Sequence, residues 1–285
     1  MCSEADPVPY VVAGGGVSLV RGDAVSLPLA DESVDLIVTS PPYFALRSYT
    51  DGGEHYDGQI GSEPTPQAFL EALWAVTAEC RRVLKPSGSL WVNLGDKYSG
   101  GQPHSDHGTG ASSLNGHGGA GTAKDNAGKF QRDPVSFGST RPKSLMGLPW
   151  RYASGCIDDL DLILRAEVVW SKPNGLPESV TDRVRRSHEQ WFHFTREPRY
   201  FAAVDEVREA HNPKYLEWAS KYAGRYAVTT GGDGGTRQGA IADKGMTHRP
   251  DPLGKLPGSV WTIPSEPLKV PDWLGVDHFA AFPQE

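Results

Sequence analysis

The residue types best suited to chemistry in this chain stand together at Thr39-Ser40-Pro41-Pro42-Tyr43. The stretch offers the hydroxyl of Ser40, the carbonyls of Ser40 and Pro41, and the aromatic face of Tyr43. Neither proline has a backbone N–H, so the pair continues neither a helix nor a sheet ladder and forms a stiff loop. Such a set suits an exocyclic amine on a nucleobase. That amine is a poor nucleophile because its lone pair is delocalised into the ring. Two acceptors on its N–H bonds draw the nitrogen toward tetrahedral geometry, and an aromatic side chain holds the base by stacking, a contact worth ~1–3 kcal/mol. An ordinary Pro-Pro turn with a surface tyrosine fits these five residues equally well. The flanking sequence has to separate the two.

Residues 34–38 (Val-Asp-Leu-Ile-Val) read as a short buried strand, which places the loop at a strand's carboxyl end, where ligands of open α/β sheets sit. Thr65-Pro66 opens a helix with an N-cap and a proline at the first helical position. Phe69, Leu70, Leu73, Trp74, Thr77, Cys80 and Leu84 follow at helical spacing, and Lys85-Pro86-Ser87-Gly88 stops the run. Ser89-Leu90-Trp91-Val92-Asn93-Leu94 is the next strand, so strand, helix and strand predict a right-handed crossover in a parallel sheet. A helix opens at Lys143 and runs toward Ile157, residues 162–172 form a strand, and residues 191–194 another. Asp205 to Gly254 interleaves Tyr215, Trp218, Tyr222 and Tyr226 with Lys214, Lys221 and Arg225. That pattern fits either nucleic-acid contact or a small amphipathic helix. A last strand-like segment covers 259–264.

Upstream, Val17 to Val20 reads as a strand and Gly14-Gly15-Gly16 as a flexible lead-in. Residues 44–63 are polar and glycine-containing, and are expected to form a mobile loop carrying Arg47. Residues 99–128 hold nine glycines and almost no large apolar side chain, so they cannot bury enough surface to order themselves. Asp182-Arg183-Val184-Arg185-Arg186 sets an arginine cluster beside the Ser171-Lys172-Pro173-Asn174 turn, suited to phosphate. His188-Glu189 reads as a polar pair fixing that loop rather than as catalytic groups.

Composition narrows the class. Cys2, Cys80 and Cys156 lack CxxC spacing, which speaks against a zinc site or disulfide framework and fits a reducing cytoplasm. No apolar run approaches the ~20 residues of a membrane span. The net charge is −7, but unevenly spread: residues 1–120 carry 6 Lys/Arg against 14 Asp/Glu, and residues 121–270 carry 22 against 18. The middle of the chain is thus the part fitted to face phosphates.

Taken in order, these segments resemble the amino-methyltransferases of DNA. The likeness is carried by Gly22-Asp23-Ala24, Asp35-Leu36-Ile37-Val38-Thr39-Ser40-Pro41-Pro42-Tyr43, Asn93-Leu94-Gly95-Asp96, Gly147-Leu148-Pro149-Trp150-Arg151, Trp170-Ser171-Lys172-Pro173-Asn174, Ser187-His188-Glu189 and His278-Phe279-Ala280-Ala281-Phe282-Pro283. Their order is that of the permuted class with the catalytic motif first. The resemblance implies an α/β fold: a Rossmann-like methyltransferase sheet, mostly parallel, with a loop-rich DNA-recognition insertion. It implies a flexible tail over 1–16, a catalytic part over 17–98, a glycine-rich loop over 99–140, the rest of the catalytic domain over 141–204, target recognition over 205–258 and a cofactor-side segment over 259–285.

By the same resemblance, Ser40, Pro41, Pro42 and Tyr43 are catalytic, with Ser40 and Pro41 as amine acceptors and Tyr43 as the stacking platform. Asp23, Thr39, Phe279, Phe282 and Pro283 border S-adenosylmethionine, although Asp23 fits a turn cap nearly as well. Arg47, Lys172, Arg183, Arg185 and Arg186 contact double-stranded DNA. Serine in place of aspartate at the first motif position favours cytosine N4 over adenine N6. The family's Asp-Pro-Phe-x-Gly-x-Gly-like cofactor motif is not found here and is expected after Phe282-Pro283. The chain alone is therefore expected to bind the cofactor very weakly or not at all and to methylate no DNA; it is either a truncated product or completed by a separate chain. A DNA-binding remnant without activity and an RNA-directed enzyme are the alternative readings.

Overall fold

The computed structural model describes residues 9–11, 16, 18–20, 22–45, 50–51, 54–55, 58–99, 141, 143–175, 177–222 and 250–266. They fall into two compact units, one of Met1–Phe201 with Ser259–Glu285 and one of Ala202–Gly258.

The first unit is built on a five-stranded sheet. Its strands are β1 (Val34–Thr39), β2 (Leu84–Leu94), β3 (Ile163–Ser171), β4 (His188–Thr195) and β5 (Val260–Thr262), in the spatial order β1-β2-β4-β3-β5. Two helices, α1 (Pro66–Val83) and α2 (Leu148–Asp158), pack against it. The architecture is α/β, as the sequence predicts, but the sheet is mixed rather than mostly parallel. β1 runs parallel to β2 and β3 parallel to β5, whereas β4 runs antiparallel to both of its neighbours. The cause is the link from β3 to β4. Its described residues contain no helix, and without a crossover the chain returns beside the strand it has just left.

Thr65 caps α1 by accepting from Ala68 N–H at 3.1 Å. Phe69, Leu70 and Leu73 of α1 and Leu148, Tyr152, Ala153 and Cys156 of α2 meet Leu90, Val92 and Leu94 of β2 and Phe192 and Phe194 of β4 in one core. The helices interlock where Trp74 fills the space a side chain at Gly155 would occupy: a Cβ there would lie 2.3 Å from the indole. Trp74 Nε1 donates to Tyr152 O at 3.0 Å, which fixes the crossing. β2 starts at Leu84, five residues earlier than expected, because Pro86 and Gly88 sit in an irregularity between the Val34–Leu84 and Leu36–Ser89 pairs. α2 starts at Leu148, later than the expected Lys143, because Gly147 takes a left-handed turn with φ 68°. On the other face of the sheet Trp91 stacks on His193 at 4.4 Å and on Trp261 at 6.0 Å.

Two expectations near the N-terminus change. Pro9–Val11, inside the supposed tail, pairs antiparallel with Ser18–Val20. Phe44, at the start of the supposed mobile loop, is a core residue 5.4 Å from Phe69, and Ala45 N–H donates to Gly61 O at 2.7 Å, pinning the two ends of the loop together. Most of residues 99–140, including their histidines, lies outside the described residues.

In the second unit the helix α3 (Pro213–Tyr222) carries Tyr215 and Trp218 stacked at 6.1 Å. A backbone bridge between Glu209 and Lys255 closes the unit, and Arg208 holds Asp205 at 2.7 Å and Asp251 at 3.0 Å. Among the described residues no helix is long and apolar enough to cross a membrane.

Candidate active site

The pairing directions bring four carboxyl ends to one side of the sheet, those of β1, β2, β3 and β5, together with the amino end of β4. Ser40-Pro41-Pro42-Tyr43 follows β1, Gly95-Asp96 follows β2, Lys172 follows β3, and His188-Glu189 opens β4. The loop motif therefore meets three other segments far from it in sequence, at the position where open α/β sheets bind ligands.

Asn93 joins them. It is the last polar residue of β2, 1% exposed, and its amide reaches the loop. Ser40 Oγ donates to Asn93 Oδ1 at 3.3 Å, Tyr43 Oη lies 2.8 Å from the same oxygen, and Asn93 Nδ2 donates to Gln190 O at 3.1 Å. Glu189 approaches from β4: its Oε2 is 2.8 Å from Tyr43 Oη, and its Oε1 pairs with Lys172 Nζ at 2.6 Å. Lys172 in turn sits 4.0 Å from the centre of the Trp170 ring, whose Nε1 donates to Ile263 O at 2.8 Å. The Lys172 and Glu189 side chains are each 20% exposed, so the pair is better shielded than an ordinary surface ion pair. Tyr43 packs against Gly95, where a Cβ would lie 2.7 Å from the ring. Only glycine admits the ring at that place.

The floor of the site is braced by Asp96, which accepts from Gly147 N–H and Leu148 N–H at 3.0 Å each and so caps α2 from another segment. Lys97 donates to Ala45 O at 2.8 Å, and burial holds its ammonium pKa below the usual lysine range.

The predicted site residues are distributed as follows. Ser40 is exposed, while Pro41, Pro42 and Tyr43 are half-buried around it. Thr39 ends β1 beside them. Asp23 is exposed, and its Oδ1 accepts from Val25 N–H at 3.0 Å, the turn-capping role. Arg183 pairs with Glu178 at 2.8 Å and lies 3.9 Å over Tyr98, while Arg185 donates to Gly175 O at 3.1 Å. Arg186 belongs to the same exposed turn, where its N–H lies 3.5 Å from Glu178 Oε2. Arg47, Phe279, Phe282 and Pro283 lie outside the described residues. Sequence reasoning gave no role to Asn93 and read Glu189 as fixing its own loop. The one available signal was an asparagine ending an otherwise apolar buried strand, where its amide must find partners.

Residues 34–285 match the family profile described as DNA methylase, of the N6/N4 type. Among curated relatives, the Type II methyltransferase M.XycI of Xanthomonas campestris pv. cyanopsidis is 40% identical over 205 residues, which cover 71% of this chain and 61% of that protein. The Type II methyltransferase M.Cfr9I of Citrobacter freundii is 39% identical over 196 residues, 68% of this chain and 59% of that protein. The Type II methyltransferase M.SmaI of Serratia marcescens is 35% identical over 210 residues, 72% of this chain and 62% of that protein. The chain thus spans about three-fifths of the length of these relatives.

Proposed function

The chain belongs to the N6/N4 DNA methylase family, and from that premise we propose that its Ser40–Tyr43 loop receives an exocyclic amine of a DNA base and prepares it for methylation. The observation that carries the reading is the convergence of Ser40 and Tyr43 on the buried Asn93 at the ligand-binding end of the sheet. The base leaves the duplex to reach such a loop. Tyr43 stacks on it, and the Ser40 hydroxyl and Pro41 carbonyl accept from the two N–H bonds of the amine. Each acceptor polarises the nitrogen and frees its lone pair. The remaining contribution is alignment, since a held amine and a held methyl group react far faster than free ones.

The methyl donor is S-adenosylmethionine, which supplies an electrophilic methyl group on sulfur. Of the residues assigned to it, Asp23 and Thr39 are described, and Asp23 spends one carboxylate oxygen on its own turn. The favoured target is cytosine N4, supported by serine rather than aspartate at the first motif position, with adenine N6 as the other base the family takes. Arg183, Arg185, Arg186 and Lys172 lie on or beside the connection from β3 to β4, and the reading has them meet the DNA backbone. Residues 205–258, within the second compact unit, serve target recognition in this reading, supported by the aromatic pair on α3.

The test is to express the chain, together with a segment that carries the family's Asp-Pro-Phe-x-Gly-x-Gly-like cofactor motif, in a host free of N4-methylcytosine and analyse its DNA nucleosides by mass spectrometry. N4-Methylcytosine is the expected product. N6-Methyladenine would reassign the base, and DNA without added methyl groups would overturn the proposed activity for this chain.

A further inference from the structure

We propose that Glu189, oriented by Lys172, is a positioning residue that sets the direction of the hydroxyl protons of Tyr43 and Ser40. The inference rests on the proposed function for the identity of the substrate and adds how the acceptor is prepared.

It follows from counting donors and acceptors. Among the described contacts, Tyr43 has one hydroxyl proton and two acceptors at the same 2.8 Å distance, Asn93 Oδ1 and Glu189 Oε2. Asn93 Oδ1 is also the acceptor for Ser40 Oγ at 3.3 Å. The amide cannot turn to relieve the competition, because its Nδ2 donates to Gln190 O at 3.1 Å. If Tyr43 donates to Asn93, the longer Ser40 bond is the one that gives way. If Tyr43 donates to Glu189, Asn93 Oδ1 stays available to Ser40.

The carboxylate is the stronger acceptor. Lys172 occupies its Oε1 at 2.6 Å, which leaves Oε2 turned toward Tyr43. Lys172 is itself held over Trp170, which is fastened to Ile263 beyond β5, so the orientation is anchored in the sheet. With Tyr43 donating to Glu189, Ser40 donates inward to Asn93 and presents only lone pairs to the site. An amine N–H requires that arrangement. A Ser40 proton pointing outward would meet the amine proton head-on. The same bond pins the Tyr43 ring over Gly95. Lys172 thereby has a role inside the site beside its proposed contact with DNA.

The experiment compares Glu189→Gln, Lys172→Met and the double variant in the full chain supplied with the same motif-bearing segment. Each single change should lower kcat by about 30-fold, the scale of a slightly misaligned reacting group. In Glu189→Gln, KM for DNA, Tm and the fluorescence of 2-aminopurine at the target position, which reports base flipping, should stay within about twofold; in Lys172→Met, Tm and the flipping signal should do so, while KM for DNA rises with the lost backbone contact. The double variant should be no worse than the worse single one, because both act through one network. An independent readout is the 13Cζ resonance of Tyr43 in tyrosine-labelled protein, identified by its loss in Tyr43→Phe. It should shift in both single variants. An unmoved resonance, additive kcat losses, or a kcat loss matched by a fall in Tm would overturn the inference. If the wild type transfers no methyl group, the proposed function fails, and the resonance alone decides the role of Glu189.

Discussion

Ser40 shows how little a single side chain needs to do once its surroundings are set. It is exposed, it makes one long hydrogen bond to a buried amide, and no charged group touches it in the described contacts. Its proposed work is felt as the amine nitrogen becomes tetrahedral and its N–H bonds more polar. Ser40→Ala should therefore lower kcat by about 100-fold while leaving the affinity for S-adenosylmethionine unchanged, the pattern of an interaction made mainly in the transition state. Isothermal titration together with single-turnover kinetics would separate the two. An unchanged kcat would remove Ser40 from the mechanism.

At the scale of elements, both faces of the sheet yield measurable consequences. On the helical face, the contact of α1 with α2 depends on Gly155, whose missing Cβ is where Trp74 lies. Gly155→Ala should destabilise the chain by about 1–3 kcal/mol through overpacking, despite the better helix propensity of alanine. Urea denaturation followed by tryptophan fluorescence measures it, and a stabilised variant would contradict the packing described. On the opposite face, His193 lies between Trp91 and Tyr200 and bonds to Ser89 at 3.0 Å. Burial, helped by the nearby Arg165, lowers its pKa from 6.5 to about 4. The unfolded chain therefore takes up this proton at a higher pH than the folded one. Stability should be full above about pH 6.5 and fall as the pH drops toward 4, by up to about 3 kcal/mol. The difference between wild type and His193→Phe, measured by thermal melting across that range, isolates the share of this residue. Parallel curves for the two proteins would show that His193 does not titrate in this way.

For the whole molecule the relevant quantity is where charge sits rather than its sum. The chain is net acidic at −7, yet residues 121–270 carry 22 Lys/Arg against 18 Asp/Glu. Within that stretch the arginines differ. Arg183 is compensated by Glu178 at 2.8 Å, while Arg185 is exposed and bonds to a neutral carbonyl. If the β3–β4 connection faces the DNA backbone, Arg185→Ala should reduce the slope of log K against log salt by about 1. Arg183→Ala should reduce it less, because part of its charge is already neutralised by Glu178. Fluorescence anisotropy across a salt series would show it. An identical slope for wild type and Arg185→Ala would assign that arginine a structural role.

The sequence by itself determined what is local. Proline chemistry made 40–43 a rigid loop after a strand, the Thr65-Pro66 cap and the apolar spacing set α1, and the β-branched and aromatic runs set β1, β2 and β4. The motif order pointed to the family that the profile match shows. Left to the tertiary structure was everything that depends on which strands become neighbours. Nothing in the composition of residues 188–195 says that they insert antiparallel between β2 and β3. That insertion brings Glu189 within hydrogen-bonding reach of Tyr43, 146 positions earlier in the chain. Asn93 was legible only as a polar residue ending a buried strand, because its partners lie 50 and 53 positions before it and 97 after it. The side chains that could receive an amine could be read from the order of residues. The ones that hold them in place could not, because a hydrogen bond depends on distance in space, and that distance is set only when the sheet closes.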